Sequence, residues 1–517
     1  MRPRMPAYEV RAGVPPRRAP AHDVPPPAAR PTLGSMPRRH IHVTGAAEAP
    51  LRAALRALRT ELAVPEGFPP AVLAEAEAAA KNPRLPAYDA TDLPFLTIDP
   101  PTSTDLDQAM HLARRADGGY RVHYAIADVA AFVTPGGALD AEAHRRVLTL
   151  YFPDGKVPLH PPVLSEGAAS LLPGEPRPAL LWRIDLDSEG RRVATDLRRA
   201  LVRSRAKLDY ASVQKVIDSG TAEEPLALLR DIGRLREERE VERGGISLDV
   251  PEQEVVEVPG DHTYTLAYRA PVPAESWNAQ ISLLTGMAAA DLMTAAGTGI
   301  LRTLPTAPDG AVARLRRSAE ALGVAWPHHV PYAEVVRHAD PTDPRQAAFL
   351  QECTTLLRGA GYTVFTDGRL PDPAVHAAVA DEYTHCTAPL RRLVDRYASE
   401  LCVAAVAGTE PPEWVRAALP GLPDTMAAGS RRANTVERES VDIVEAALLS
   451  GRVGELFDAY VIDVKEREPS VGTVHLDTPA VVARVEGGTS ALPLGEWLRV
   501  RLSEADPGRA KVLFAPA

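Results

Sequence analysis

At 517 residues the chain is too long for a single hydrophobic core, and its 45% hydrophobic content is that of a globular protein, so two or three domains are expected. Its 58 lysines and arginines against 68 aspartates and glutamates give a formal charge of −10, which excludes a broad basic surface; a polyanionic partner would have to be met by arginines focused in a channel. Cys353, Cys386 and Cys402 have neither metal-ligand spacing nor a disulfide framework, and no segment reaches membrane-span length or carries a signal-peptide core, so a cytoplasmic protein without membrane attachment is expected.

Residues 1–40 are rich in Pro, Arg and Ala and read as a disordered tail. Met36 is an alternative start, because Pro37-Arg-Arg-His-Ile-His-Val43 begins strand-like order. Residues 41–90 read as a helical module, with helices near Pro50–Leu62 and Pro70–Lys81 separated by Pro65 and Pro69. Leu51, Leu55 and Leu58 repeat on one face of the first helix. The pair is either a helix-turn-helix unit that touches nucleic acid or a plain packing module.

The most informative stretch follows. Phe95 to Ile98 is a short apolar strand that delivers Asp99 at its end, and Pro100-Pro101 then stops both helix and sheet pairing. Thr102-Ser103-Thr104 suits a tight loop, after which Asp105 and Asp107, two residues apart, share one face of an extended segment. Three converging carboxylates repel one another unless a hard divalent cation such as Mg²⁺ or Mn²⁺ joins them, and such ions serve in-line attack at phosphorus. The alternative is a solvated loop whose aspartates cap turns. A solvated loop needs no apolar strand before it and no apolar hairpin after it, and Ala109–Ala131 reads as that hairpin, turning at Asp117-Gly118-Gly119.

Ile98-Asp99-Pro-Pro-Thr-Ser-Thr-Asp105-Leu-Asp107, followed by Val122-His-Tyr-Ala-Ile-Ala-Asp-Val129, resembles the signature of the RNase II and RNase R exoribonucleases, the RNB catalytic domain. The resemblance is dense over Leu93–Gly451 and implies an α+β RNB catalytic domain, a mixed sheet packed with helices, over residues 91–452. It implies that Asp99, Asp105 and Asp107 hold Mg²⁺, with Mn²⁺ as the other candidate, and that Asp105 and Asp107 act in catalysis. One departure bears on this: Gln108 stands where many members of the family have a fourth aspartate. The cold-shock-type barrels that usually precede the domain have no counterpart before Leu93, where no strand series is visible.

Further along, a helix is expected around Ala141–Val147, followed by Thr149-Leu-Tyr-Phe-Pro153. Lys156–Glu166 and Ala169–Pro173 resemble further blocks of the family. Tyr151 falls where the family places an aromatic that stacks on the terminal bases of RNA; from the residues alone a half-buried core tyrosine is the favoured reading. Strands at Leu180–Leu186 and Arg192–Leu201 precede Arg203-Ser-Arg-Ala-Lys207-Leu-Asp-Tyr210, whose cations and ring suit either a phosphate-tracking groove or a charged helix entry. A charged helix at Leu226–Arg243 reads as a solvated face, strands follow at Ile246–Val250 and Gln253–Glu257, and Ala274–Ala296 reads as a long buried helix.

Tyr383-Thr-His-Cys-Thr-Ala-Pro-Leu-Arg391-Arg392 is the second constellation. Pro389 suits the first turn of a helix, whose N-terminus with Arg391 would present donors and a fixed cation to a phosphate. The stretch resembles the RNB motif in which the first of two arginines, here Arg391, reaches the scissile phosphate. A last long helix runs from Arg431 to about Gly451; its Glu437 matches a family glutamate near the active site and is also an ordinary helical ion-pair partner. Five short alternating strands, at 457–463, 471–475, 480–484, 497–502 and 510–514, predict an OB-fold β-barrel over residues 453–517.

Together these imply a monomeric 3′-to-5′ exoribonuclease that releases nucleoside 5′-monophosphates from single-stranded RNA. The catalytic set is Asp107, Asp105 and Arg391, and the RNA-binding set is Tyr151, Tyr210, Arg391 and Glu437. The competing reading is an RNA-binding scaffold weakened in hydrolysis by Gln108.

Overall fold

The computed structural model describes residues 49–248, 250–257, 264–357, 359–465 and 467–517. The expected tail of residues 1–40, the stretch at Pro37–Val43 and Met36 lie outside the described residues, as does Asp249 in the strand expected at Ile246–Val250. The described parts of that segment, Ile246–Leu248 and Val250, are not in a strand.

Helices α1 (Ala49–Glu61) and α2 (Pro70–Lys81) lead into a closed barrel of five strands: β1 (Phe95–Ile98), β2 (Gln108–Arg114), β3 (Tyr120–Ala127), β6 (Pro176–Leu186) and β7 (Arg192–Leu208). Neighbours are antiparallel except that β7 returns parallel to β1, with Ile98 opposite Leu208, and closes the ring. The hairpin β2–β3 turns at the expected glycines, where a Cβ on Gly119 would collide with the Leu186 carbonyl. Between β3 and β6 lie α3 (Ala138–Arg146) and a small hairpin, β4 (Leu150–Phe152) with β5 (Gly155–Val157).

Apart from much of β7, the barrel strands are largely buried on both faces, and strand alternation sends their side chains to two cores. Val122, Tyr124, Ile126, Trp182 and Leu197 join one core, which continues into α5 (Glu224–Arg243) and α6 (Pro273–Ala296) through Leu229, Ile232, Trp277 and Leu284. The smaller Ala125, Ala127, Ala179 and Ala200 face a second core with Leu106, Leu164, Leu171 and Leu390, and with Val72 and Ala76 of α2. The N-terminal helices therefore share the barrel's cores. Leu51, Leu55 and Leu58 are buried as their spacing requires. Helix α5 is more than a solvated face, since Leu228, Leu229, Ile232 and even Arg236 are buried, and Gly233 permits a crossing against Trp277 that no Cβ would allow.

After α4 (Tyr210–Asp218), α5, the hairpin β8 (Glu252–Glu257) with β9 (Tyr264–Arg269), and α6, the chain forms a satellite region. It contains β10 (Gly299–Thr303), short helices α7 (Asp309–Ala321), α8 (Tyr332–His338) and α9 (Pro344–Cys353), β11 (Gly361–Phe365), and a two-residue pair β12 (Val375–His376) and β13 (Asp381–Glu382). Its core, around Leu315, Val336 and Phe349, includes Tyr460 and Ile462 from the C-terminal barrel. Helices α10 (Leu393–Ala407), α11 (Glu413–Ala418) and α12 (Leu422–Leu449) complete the catalytic region, α12 beginning nine residues before the expected Arg431. The C-terminal barrel comprises β14 (Leu456–Lys465), β15 (Glu468–Leu476), β16 (Val481–Val485), β17 (Trp497–Asp506) and β18 (Lys511–Pro516), closed in the order β14-β15-β16-β18-β17. This is the five-stranded OB arrangement that the strand spacing predicts. No helix among the described residues is long and apolar enough to cross a membrane.

Candidate active site

The acidic corner sits at one end of the first barrel. Asp99 leaves β1 with its N–H still bonded to the Leu208 carbonyl, 3.0 Å away. The loop then doubles back, and Lys207 on β7 holds it by donating to the carbonyls of Pro101 and Ser103, at 2.6 and 2.5 Å. Residues 105–107 run extended. Leu106 turns into the second core, its N–H bonded to Ser170 Oγ at 2.9 Å, while Asp105 and Asp107 turn the other way into the cleft. The alternation of Asp, Leu and Asp thus does what the spacing expects.

Asp99, Asp105 and Asp107 line one cleft of about 190 Å³ together with Tyr151, Lys156, Gln108 and Arg391. Asp107 is 3% exposed, and its Oδ1 accepts the Leu390 N–H at 2.8 Å while its Oδ2 accepts Arg391 Nε at 3.2 Å. Residues almost three hundred positions apart thereby share a single pocket. Burial, partly offset by Arg391, pushes Asp107 up to about 8 and Asp99 up to about 7. Asp99 Oδ2 is buried with no hydrogen-bond partner. Asp105 is already paired, its Oδ1 lying 2.6 Å from Lys156 Nζ.

Two adjacent arginines have different work. Arg391 lines the cleft near Tyr151, and its charge is held above the ordinary arginine range because Tyr151 and Asp107 outweigh the burial that opposes it. Arg392 points inward, forking onto Asp395 through two contacts of 2.8 Å, and Asp395 also accepts the Ala388 N–H at 2.7 Å. Pro389 does not begin the helix. It lies in a turn whose Arg391 and Arg392 N–H groups both return to the Ala388 carbonyl, and α10 starts only at Leu393. The expected helix N-terminus is therefore displaced, and the Leu390 N–H goes to Asp107.

The remaining expected residues divide. Tyr151, on β4, borders the cleft directly. Tyr210 does not: it is 3% exposed, packed in the main core, and its hydroxyl accepts Asn278 Nδ2 at 2.9 Å. A ring so enclosed offers no face to a stacking base, and the RNA-binding expectation for Tyr210 is corrected accordingly. The cations before it are strand residues of β7, with Lys207 tied to the acidic loop and Arg205 paired to Glu223. Glu437, half-buried on α12, is not among the residues lining the cleft. Gln108 donates its amide to the Thr387 carbonyl, a bond that a carboxylate could not make. Lys156, which opens the Lys156–Glu166 stretch, is not among the expected site residues; its signal is the β4–β5 register that sets it opposite Tyr151.

The donor set suits a hard divalent ion: three oxygen-only carboxylates on one cleft, one with an orphaned oxygen and two held toward neutrality by burial that Arg391 only partly offsets. Among the described residues, however, no three His, Cys, Asp or Glu side chains are gathered tightly enough to hold an ion as they stand. Lys156 and Arg391 occupy part of the carboxylate valence.

Comparison with known proteins gives a match to the RNB domain over residues 87–408 and to the RNase II-type exonuclease C-terminal S1 domain over 455–517. Ribonuclease R of Aquifex aeolicus is 28% identical over 490 residues, covering 87% of this chain and 68% of that protein. Ribonuclease R of Escherichia coli is 29% identical over 360 residues, covering 66% of this chain, which spans only 43% of that relative's length. The structure of Mycoplasma genitalium RNase R in complex with ribose-methylated single-stranded RNA superposes with a TM-score of 0.79 at 20% identity, over 91% of this chain and 78% of that one. Yeast Ssd1, described as a pseudonuclease, superposes with a TM-score of 0.65 at 16% identity, over 89% of this chain and 57% of that one.

Proposed function

The chain belongs to the RNB family, with a C-terminal S1 domain of the RNase II exonuclease type, and from that premise we propose that it is a metal-dependent 3′-to-5′ exoribonuclease that degrades single-stranded RNA processively to nucleoside 5′-monophosphates. The observation that carries the reading is the Asp107 carboxylate fixed between the Leu390 N–H and Arg391 Nε, because it joins the acidic corner to the guanidinium in one cleft. Asp99, Asp105 and Asp107 would hold Mg²⁺ or Mn²⁺. When bound, such an ion supplies an activated water and charge stabilisation at the phosphoryl oxygens. Arg391, oriented by Asp107, offsets negative charge that develops on the phosphate in the transition state. Tyr151 gives the terminal base a ring to stack on, at a site the Arg59–Asp154 ion pair (2.5 Å) and the Arg59 guanidinium over Phe152 (4.1 Å) hold rigid. The C-terminal barrel would retain the RNA upstream.

A second reading has one observation in its favour. Gln108 brings no charge to the cleft, and the family contains relatives described as inactive, so the chain would then grip RNA without cutting it. Digestion of 5′-labelled oligo(A) by chelator-cleared full chain, with Mg²⁺ or Mn²⁺ titrated back, separates the two. The nuclease reading expects metal-dependent shortening and 5′-monophosphate products; a band that shifts on a native gel and never shortens supports the scaffold.

A further inference from the structure

We propose that Lys156 is a resident cation of the cleft, taking the place beside Asp105 that a second divalent ion would otherwise fill, so that this chain works with one ion. The inference rests on the nuclease reading above and concerns only how the cleft is charged.

The geometry comes from the β4–β5 hairpin. Lys156 stands opposite Tyr151 in the hairpin register, and its Nζ reaches Asp105 Oδ1 at 2.6 Å and Glu166 Oε1 at 3.0 Å. Its side chain is 24% exposed, so the ammonium sits in the cleft wall and not out in solvent. Two carboxylates fix it, and Arg59 of α1 braces the hairpin that carries it through Asp154 and Phe152. A hairpin held this way cannot easily withdraw the lysine.

The charge pattern agrees. Centres that use two divalent ions clamp the attacking and leaving oxygens between them, and hard cations need anionic oxygens in number. Here position 108 is a neutral amide whose donor is committed to the Thr387 carbonyl. Asp107 gives one oxygen to Arg391 and the other to the Leu390 N–H. Asp105 gives an oxygen to Lys156, which leaves Asp99, with its orphaned Oδ2, as the carboxylate with no fixed cation bonded to it among these contacts. A second divalent ion set on the Oδ1 side of Asp105 would face the Lys156 ammonium a few ångströms away across a partly desolvated gap, and like charges at that range exclude each other. The neutral amide at 108 and the ammonium at 156 therefore act in the same direction: both remove support for a second ion.

The test counts bound metal and needs no turnover. Chelator-cleared full-length protein is titrated with Mn²⁺ alone, free Mn²⁺ being read by electron paramagnetic resonance, for wild type, Lys156→Met, Lys156→Gln and Lys156→Arg. Wild type and Lys156→Arg are expected to take one Mn²⁺ per chain. Lys156→Met and Lys156→Gln, which remove the charge, are expected to take a second ion or to bind the first about tenfold more tightly or better, about 1.4 kcal/mol. Lys156→Gln keeps a hydrogen-bond donor toward Asp105 and serves if the methionine variant does not fold. Neutral variants that titrate like wild type overturn the proposal, as does a wild type that already takes two ions of similar affinity; in either case metal-dependent digestion of oligo(A) by the wild type would leave the nuclease reading standing. Absence of Mn²⁺ binding in every form overturns both.

Discussion

The two barrels of this chain have the same number of strands, and each contains one parallel pair, β1 with β7 in the first and β16 with β18 in the second. They differ in what their connections carry. The first opens between β1 and β2 into a proline-broken corner bearing three carboxylates, and between β3 and β6 it inserts α3 and the hairpin of Tyr151 and Lys156. Its acidic corner is buried and held by a distant partner, Asp107 by Arg391. The second barrel keeps its ionic pairs outside, Arg499 with Asp458 and Lys511 with Glu504, over a core of Val461, Val474, Val500 and Phe514. Barrel closure thus gives both regions rigidity, and chemistry is confined to the one whose loops return charge to its mouth.

Mutations should break this contrast in graded steps. The largest loss of stability is expected from Asp395→Ala, which strands the buried Arg392 and releases the Ala388 turn; urea unfolding should show a loss of about 3–5 kcal/mol. Arg391→Ala should leave the fold intact and lower kcat on oligo(A) by about 10²–10³-fold, as removal of one preorganised charge donor does.

Asp99→Asn sharpens the contrast through pH. Burial raises Asp99 in the folded state to about 7, so its contribution to stability is complete below the unfolded value near 4 and is lost as pH climbs through 7. In chelated protein the variant should match wild type at pH 5 and exceed it at pH 8 by on the order of 1–2 kcal/mol; a wild type equally stable at both pH values, measured by thermal melting, contradicts this. The smallest effect belongs to the second barrel. Arg499→Ala removes an exposed pair and should change stability by no more than about 0.5 kcal/mol, with kcat unaltered.

Much of this was legible in the sequence because the signals are local. The strand Phe95–Ile98, the double proline, the Asp-Leu-Asp alternation and the Asp-Gly-Gly turn each declare themselves within a few residues, and the five C-terminal strands alternate cleanly enough that their starts and ends fall within a few positions of those observed. What escaped depends on distance. The parallel return of β7 to β1 joins segments about a hundred residues apart, and it carries Arg203–Lys207 along a strand in place of a helix entry. Burial of Tyr210 follows from α6 packing across it, which no pattern around Tyr210 announces. Pro389 misled for a related reason: the bonds of Asp395 to Ala388 and Arg392 hold a turn ahead of the helix and delay its start to Leu393. The satellite region between residues 299 and 382 is built of short helices and strands whose core is completed by Tyr460 and Ile462 from the other barrel.

The most direct test of the account is a double-mutant cycle on Asp107 and Arg391, reading single-turnover hydrolysis of oligo(A) under saturating Mg²⁺ with RNA affinity measured in parallel. Groups that act as one unit are non-additive, so Asp107→Asn, expected to cost about 10³-fold or more while RNA affinity stays within about threefold, should be made little worse by adding Arg391→Ala. Losses that multiply in full, or a rate for Asp107→Asn equal to wild type, would contradict a single pocket shared by the acidic corner and the arginine.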